Sequence, residues 1–234
     1  MQIIENSIIG TRSAVLRLKH RNTPLQFLIF PMVHVASPRF YAEVAERLRR
    51  CDLLVIEGVR GRSLWGWAFT LSYRIMPLNR RSGLVVDNIP YMSLGVPLIN
   101  PDVTVDELAR GWKVMPLRYR LLLWCVLPAV VAGRMFGGRR SLLSRDVEVS
   151  DLPSESEEAF QDSDVGEHFE RMFGGSRDQL LLDTLTEIHG TRSGEPIVVA
   201  IVYGARHVPA IVRGLGDRLG YRVGSAEWLT VLDA

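Results

Sequence analysis

A chain of 234 residues, 47% of them hydrophobic and 23% charged, is long enough to bury a continuous core and lies at the upper end of what one domain usually holds. The 28 basic residues exceed the 26 acidic ones by only two, and this small excess gives no support to nucleic-acid binding. The two cysteines, Cys51 and Cys125, lie far apart, and we interpret both as reduced core thiols of a cytoplasmic protein. The first residues lack the segments of a signal peptide, so we expect no secretion.

The first predicted element is a β-hairpin. Residues Ala14 to Lys19 alternate between apolar and polar side chains, the turn-forming Arg21 to Pro24 follows, and Leu25 to Phe30 is a second apolar run.

A strand, helix, strand unit is predicted next. After the loop Pro31 to His34, Ser37 and Pro38 are typical of a helix start, and apolar residues recur at helical spacing as far as about Arg50. The continuous apolar run Leu53 to Glu57 then indicates a strand buried on both faces.

The C-terminal part repeats this order. A helix is predicted from about Arg177 to His189, a strand from Ile197 to Tyr203, then a helix that turns Val208, Ile211, Val212 and Leu215 inward, and closing strands at 221–223 and 227–232. We therefore expect one α/β domain over residues 1–234, with a mixed, largely parallel central sheet built from two similar strand, histidine loop, helix, strand units.

Between the two units, residues 63–164 are predicted to be an inserted, mostly helical region. Thr104 to Glu107 is a capping box, and the apolar run Leu121 to Gly133, at 13 residues, is too short to span a membrane. Trp65, Trp67, Phe69 and Tyr73 are interpreted as core helix, or alternatively as a hydrophobic cover over the site. Residues 146–164 are acidic and rich in serine, which predicts a mobile loop.

Three candidate site residues follow strand ends: His34, Glu57 and His207. Ligands bind outside the carboxyl ends of parallel strands, where helix N-termini and short loops converge. Gly204 lets the chain turn sharply before His207, and the nearby helix N-terminus is expected to keep that imidazole neutral.

Two chemistries are open to this trio. Two imidazoles and a carboxylate are enough to hold a divalent metal ion that acidifies a bound water, which would make all three residues metal ligands. The same residues could act without metal, with one histidine as general base and Glu57 orienting it.

Several other polar residues have either a site role or a simpler structural role. Arg62, Arg177 and Asp178 are candidates to orient Glu57 or bind a substrate carboxylate, although an Arg-Asp pair at a helix start is also a common cap and solvated ion pair. The glycine-rich Gly214 to Gly220 is interpreted as a helix terminus and not as a dinucleotide motif. His20, His168 and His189 are expected to be solvated.

These residues resemble the TraB/PrgY/GumN superfamily, which includes the Tiki proteases and is related in fold to erythromycin esterases and haem-binding ChaN proteins. The family carries two Gly-x-x-His motifs. The second is intact as Gly204 to His207, and the first is present as Pro31-Met32-Val33-His34, with proline in place of glycine. The resemblance covers roughly residues 10–62 and 175–215, including an acidic strand end like Glu57, an arginine like Arg62 and an Arg-Asp pair like Arg177-Asp178.

The resemblance implies a metallohydrolase-like site. We therefore expect a cytoplasmic metal-dependent hydrolase or peptidase that acts on a peptide or small-molecule substrate. One alternative is a non-catalytic protein that binds haem or another small ligand in the same cleft, which the replacement of the motif glycine by Pro31 favours. Another is a regulator that docks on an anionic membrane surface through the arginine-flanked Leu121 to Gly133 helix.

Overall fold

A computed structural model describes residues 2–58, 83–121 and 175–233, which form a mixed α/β fold. In chain order the elements are β1 (Ile4–Ser7), β2 (Gly10–Lys19), β3 (Gln26–Met32), β4 (Val35–Ala36), α1 (Pro38–Leu48), β5 (Leu53–Ile56), β6 (Val85–Val86), a 3₁₀ turn (Tyr91–Ser93), β7 (Leu98–Ile99), α2 (Val105–Val114), α3 (Gly175–Arg192), β8 (Val198–Gly204), a 3₁₀ turn (Ala205–His207), α4 (Val208–Leu219) and β9 (Arg222–Asp233).

The main sheet is half antiparallel and half parallel. Strand β2 pairs antiparallel with β9 along one edge, and with β1 and β3 along the other. From β3 onward the neighbours β8, β5 and β7 are all parallel. The parallel strands are nearly continuous in apolar residues, as expected for strands covered on both faces, and β3, β5 and β8 supply the centre of the core.

Several sequence predictions about local structure are confirmed. The hairpin is β2 and β3, and Ser37 Oγ accepts a hydrogen bond from Phe40 N at 3.2 Å to cap α1. Thr104 and Glu107 form the capping box, with Glu107 N donating to Thr104 Oγ1 at 3.3 Å and Thr104 N donating to Glu107 Oε2 at 2.7 Å. The glycine-rich run ends α4 at Gly220, whose φ of 76° is the left-handed conformation that favours glycine at this position.

The closing strands and the inserted region differ from the prediction. The two short C-terminal strands are one strand, β9, which lies on β2 at the antiparallel edge. Within the region predicted as a helical insertion, residues 83–99 form β6, which pairs with β4, and β7, which extends the main sheet beside β5. Strands of two residues are too short to show a periodic pattern, so the sequence did not reveal them.

The prediction that His20 and His189 are solvated is wrong. Both rings are half-buried against Tyr221, and the hydroxyl of Tyr221 lies 3.1 Å from His189 Nδ1. Tyr221 is itself buried, so a group of three rings in mostly edge-to-face contact joins the β2 to β3 turn to the end of α3.

Cys51 is a buried free thiol whose pKa is raised to about 11 by burial and by Asp52, which agrees with its interpretation as a core residue. None of the helices in the described part of the chain has the length and apolar content that crossing a lipid bilayer requires. Several predictions lie outside the described residues: those on Arg62, Trp65, Trp67, Phe69, Tyr73, Cys125, His168, the acidic loop 146–164 and nearly all of 121–133.

Candidate functional site

The carboxyl ends of three parallel strands meet at one edge of the sheet. Met32 at the end of β3 is in register with Gly204 at the end of β8, and Glu57 N, just past β5, donates to Val202 O of β8 at 3.0 Å. His34, Glu57 and His207 therefore all follow strand ends at this edge, as the sequence predicts.

Glu57 is held by two donors. Its Oε1 accepts from Arg177 Nη2 at 2.7 Å, and its Oε2 accepts from the backbone N–H of Gly204, also at 2.7 Å. A Cβ at position 204 would lie 3.2 Å from Glu57 Oε2, closer than side chains normally approach. Gly204 thus permits the carboxylate to lie against the end of β8, which is a different role from the sharp turn expected from the sequence.

Arg177 joins Glu57 to a second, fully buried carboxylate. Its Nε and Nη2 donate to Asp102 Oδ1 and Oδ2 at 2.7 and 2.5 Å, and the Asp102 side chain has no exposed surface. Burial opposes charge on both partners, but the Arg177 guanidinium and the backbone N–H groups of Gly58 and Val103 outweigh it and lower the pKa of Asp102. The same pairing raises the pKa of Arg177, so both groups are charged.

His207 lies between two carboxylates. Its Nδ1 is 2.6 Å from Asp178 Oδ1, its Nε2 is 3.6 Å from Glu57 Oε1, and its side chain is only 17% exposed. Burial disfavours the imidazolium, but the hydrogen bond with Asp178 and the charges of Glu57 and Asp178 outweigh burial and raise the pKa of His207. The helix N-terminus was expected to lower the pKa of this imidazole, and the shift has the opposite direction because two nearby carboxylates act more strongly than the helix dipole.

His34 has a different environment, which we name the Tyr91 cluster and which comprises His34, Tyr41, Asp87 and Tyr91. The His34 side chain is exposed, and its carbonyl accepts from Asp87 N at 3.0 Å next to the β4–β6 ladder. Tyr91 Oη donates to Asp87 Oδ2 at 3.1 Å. Burial raises the pKa of Asp87 even though hydrogen bonds from Ile89 and Tyr91 and the charge of His34 act in the other direction.

The predicted site residues form two groups, one around His207 and the other around His34. Glu57, Arg177, Asp178, Gly204 and His207 come together, and with Asp102 we name them the Arg177 cluster. The His34 side chain interacts electrostatically with Asp87, which belongs to the other cluster. Arg177 does contact Glu57, the orienting position that the sequence suggested, and Asp178 contacts His207 instead of being only a helix cap.

Sequence reasoning missed Asp102 and Asp87. Both follow very short strands, β7 and β6. Arg177, the partner of Asp102, is 75 positions away in the chain, whereas Asp87 accepts from Ile89 and Tyr91, two and four positions away. A signal was present for Asp102, because Asn100, Pro101 and Asp102 directly follow an apolar pair, the same order of apolar residues and then carboxylate that marked Glu57.

The described residues do not fit the three-ligand metal site. Glu57 Oε1 and His207 Nε2 are close enough to share an ion bonded at about 2 Å to each. However, Oε1 also accepts from the positive Arg177, and the described ranges contain no group of three or more histidine, cysteine or acidic side chains placed to hold a metal.

Three comparisons with known proteins were made: no family model, no curated protein and no solved structure matches this chain.

Proposed function

We propose that this chain is a hydrolase related to the TraB/PrgY/GumN superfamily, and that it cleaves a peptide or ester bond with His207 as its acid–base group. The observation that carries the proposal is the placement of His207, with Nδ1 bound to Asp178 and Nε2 directed toward Glu57. A histidine oriented through one ring nitrogen leaves the other free to move a proton, which is the arrangement that general acid–base catalysis requires.

The proposed reaction uses water as the nucleophile. Neutral His207 takes a proton from water at Nε2 while the water oxygen forms a bond to the substrate carbonyl carbon. The resulting imidazolium then gives that proton to the leaving amine or alkoxide as the bond to carbon breaks. Asp178 keeps the other ring proton on Nδ1, and the negative charge of Glu57, 3.6 Å from Nε2, stabilises the imidazolium.

Arg177 and Asp102 are positioning residues in this proposal. They hold Glu57 Oε1 in place from a buried site, while Gly204 N holds Oε2. The proposal includes the arrangement of two similar units. The loop after β3 carries His34 and the turn after β8 carries His207, both at the same edge of the sheet. His34 can therefore contact a substrate bound at this edge.

The test is hydrolysis of fluorogenic peptide libraries and chromogenic esters by the purified protein, with and without EDTA. We expect turnover of one substrate class that is insensitive to EDTA and falls by about 100-fold or more in His207→Gln and Asp178→Asn, the usual contribution of a general acid–base group. The matched control is His189→Gln, which changes a half-buried histidine that contacts Tyr221 and should retain full activity. Turnover equal in His207→Gln and in wild type would contradict the proposal.

A second candidate is the metal-dependent form of the same site. The separation of 3.6 Å between Glu57 Oε1 and His207 Nε2 favours it, because one ion could bond to both atoms. EDTA would then abolish turnover and Zn²⁺ or Mn²⁺ would restore it. Metal analysis of the wild type and of His207→Ala gives an independent readout, because only the wild type would retain stoichiometric metal.

A further inference from the structure

A cavity of about 500 Å³ lies at the other end of the parallel strands from Glu57 and His207. Its walls come from the end of α1, the first residue of β8, and the middle parts of β2, β3 and β9. Val15, Leu28 and Val198 give it apolar walls, and the charged residues that line it are Arg17, Glu46, Arg47, Arg50 and Glu227. This volume lies within the range of small-molecule sites.

Arg17 differs from the other two arginines of the cavity. Arg47 pairs with Glu43 and Glu227, and Arg50 pairs with Glu46. Arg17 Nη1 donates to the neutral amide oxygen of Gln26 at 2.9 Å, and within the described part of the chain this is its one side-chain hydrogen bond. Because a guanidinium carries five N–H donors, four of them have no acceptor in these residues.

The backbone next to Arg17 is irregular. The β2–β9 register shifts between Arg17, which is opposite Ser225, and Leu18, which is opposite Val223. Gly224 is therefore an extra residue in β9, a β-bulge. Bulges bend a strand and re-aim its side chains, and they are common beside binding sites. The half-buried side chain of Arg17 is thus held at the cavity wall by local backbone structure as well as by Gln26.

We propose that this cavity binds a small organic carboxylate, with the carboxylate on Arg17 and its apolar body against Val15, Leu28 and Val198. A planar guanidinium pairs with a carboxylate through two parallel hydrogen bonds, and the free donors of Arg17 permit this geometry. The site is independent of the proposed hydrolase activity, because it shares no residue with the Arg177 cluster.

The test is binding of 4-fluorobenzoate, followed by fluorine NMR, to the full chain at low ionic strength. We expect saturable binding by the wild type, and Arg17→Gln should weaken it by about tenfold or more, the usual effect of losing hydrogen bonds to a charged group. The matched control is Arg213→Gln on α4, an exposed arginine outside the cavity, which should bind as the wild type does. The neutral 4-fluorobenzamide should not bind.

A second variant keeps the test decisive if Arg17→Gln does not fold. Ser225 is an exposed residue of β9 at the cavity wall, opposite Arg17 in the sheet register, and Ser225→Phe would fill the space without touching the core, so it should abolish binding. The proposal is overturned by an absence of saturable binding in the wild type, by equal affinity for the amide, by equal losses in Arg17→Gln and Arg213→Gln, or by unchanged binding in Ser225→Phe.

Discussion

The two strand-end histidines lie in clusters that handle buried charge in opposite ways. In the Arg177 cluster, the fully buried carboxylate of Asp102 is bound by a guanidinium and by two backbone N–H groups. In the Tyr91 cluster, Asp87 accepts from the Tyr91 hydroxyl and from Ile89 N, and the charge that acts on it belongs to the exposed His34. The two clusters differ because Asp102 is paired with the buried guanidinium of Arg177, whereas the His34 side chain that acts on Asp87 is exposed.

The consequence is that the two aspartates respond to pH with opposite signs. The pKa of Asp102 is lowered, so its ionised form stabilises the fold, whereas the pKa of Asp87 is raised, so its ionised form is disfavoured by folding. The Arg177 cluster is therefore a charged structure that fixes Glu57 and, through it, the surroundings of His207. Four variants test this contrast.

The largest effect is expected from Arg177→Gln. This change leaves the buried carboxylate of Asp102 without its guanidinium, and breaking a buried ion pair in this way costs about 3–5 kcal/mol. We expect a large fall in the urea midpoint at neutral pH, measured by circular dichroism. Arg218→Gln, which removes a surface pair with Asp183, is the control and should change stability by less than about 1 kcal/mol. A loss of similar size in both variants would contradict the importance of burial.

Asp102→Asn should cost about 2–3 kcal/mol at neutral pH, because a hydrogen-bonded charge is lost while the shape of the side chain is retained. The folded pKa of Asp102 is below the unfolded one, so its contribution is complete above the unfolded pKa and disappears as pH falls through the folded pKa. The difference in unfolding free energy between wild type and Asp102→Asn should therefore shrink as the pH falls below about 4. A difference that stays constant in urea titrations over this range would show that Asp102 is not a paired charge.

Asp178→Asn acts on His207 with a smaller effect on stability, about 1 kcal/mol, because both side chains are partly exposed. The main effect of this variant is on the pKa of His207. Asp178 contributes to the raised pKa of His207 by a hydrogen bond and by charge, so the pKa of His207 should fall in this variant. Titration of the imidazole carbon protons by NMR in the presence of EDTA measures it, and His189 in the same spectra is the internal control.

The sequence predicted the elements whose patterns are long enough to be read. The β2–β3 hairpin, α1 with its Ser37 cap, β5 and β8 follow from alternation, capping and continuous apolar runs, and they place Glu57 and His207 together. The arrangement of parallel strand ends at one edge, a general property of such sheets, made the candidate site predictable before any contact was known.

The electrostatics of the site were less predictable because they depend on contacts between distant parts of the chain. Arg177 and Asp102 are 75 positions apart, and the β7 strand that leads to Asp102 has only two residues. The sequence named Asp178 as a partner of Glu57 or of a substrate and not of His207, so the helix dipole was the influence expected on His207, and it gave the wrong sign of the pKa shift. Local patterns therefore located the histidines, whereas contacts with residues distant in the chain set the direction of the pKa shift of His207.

The smallest effect is expected from Asp87→Asn, which completes the contrast with Asp102. Its folded pKa is raised, so ionisation of Asp87 costs stability above that pKa, and the cost disappears as pH falls through it. Asparagine removes the ionisation while keeping an acceptor for Ile89 N and a partner for Tyr91 Oη. At about pH 7, above the ordinary pKa range of aspartate, the variant should be within about 1 kcal/mol of wild type, and its advantage over wild type should decrease toward acid pH, opposite in sign to the loss in Asp102→Asn. Urea titrations of the two variants side by side decide the matter: a loss at Asp87 equal to that at Asp102 would mean that the Tyr91 cluster also depends on a buried charge.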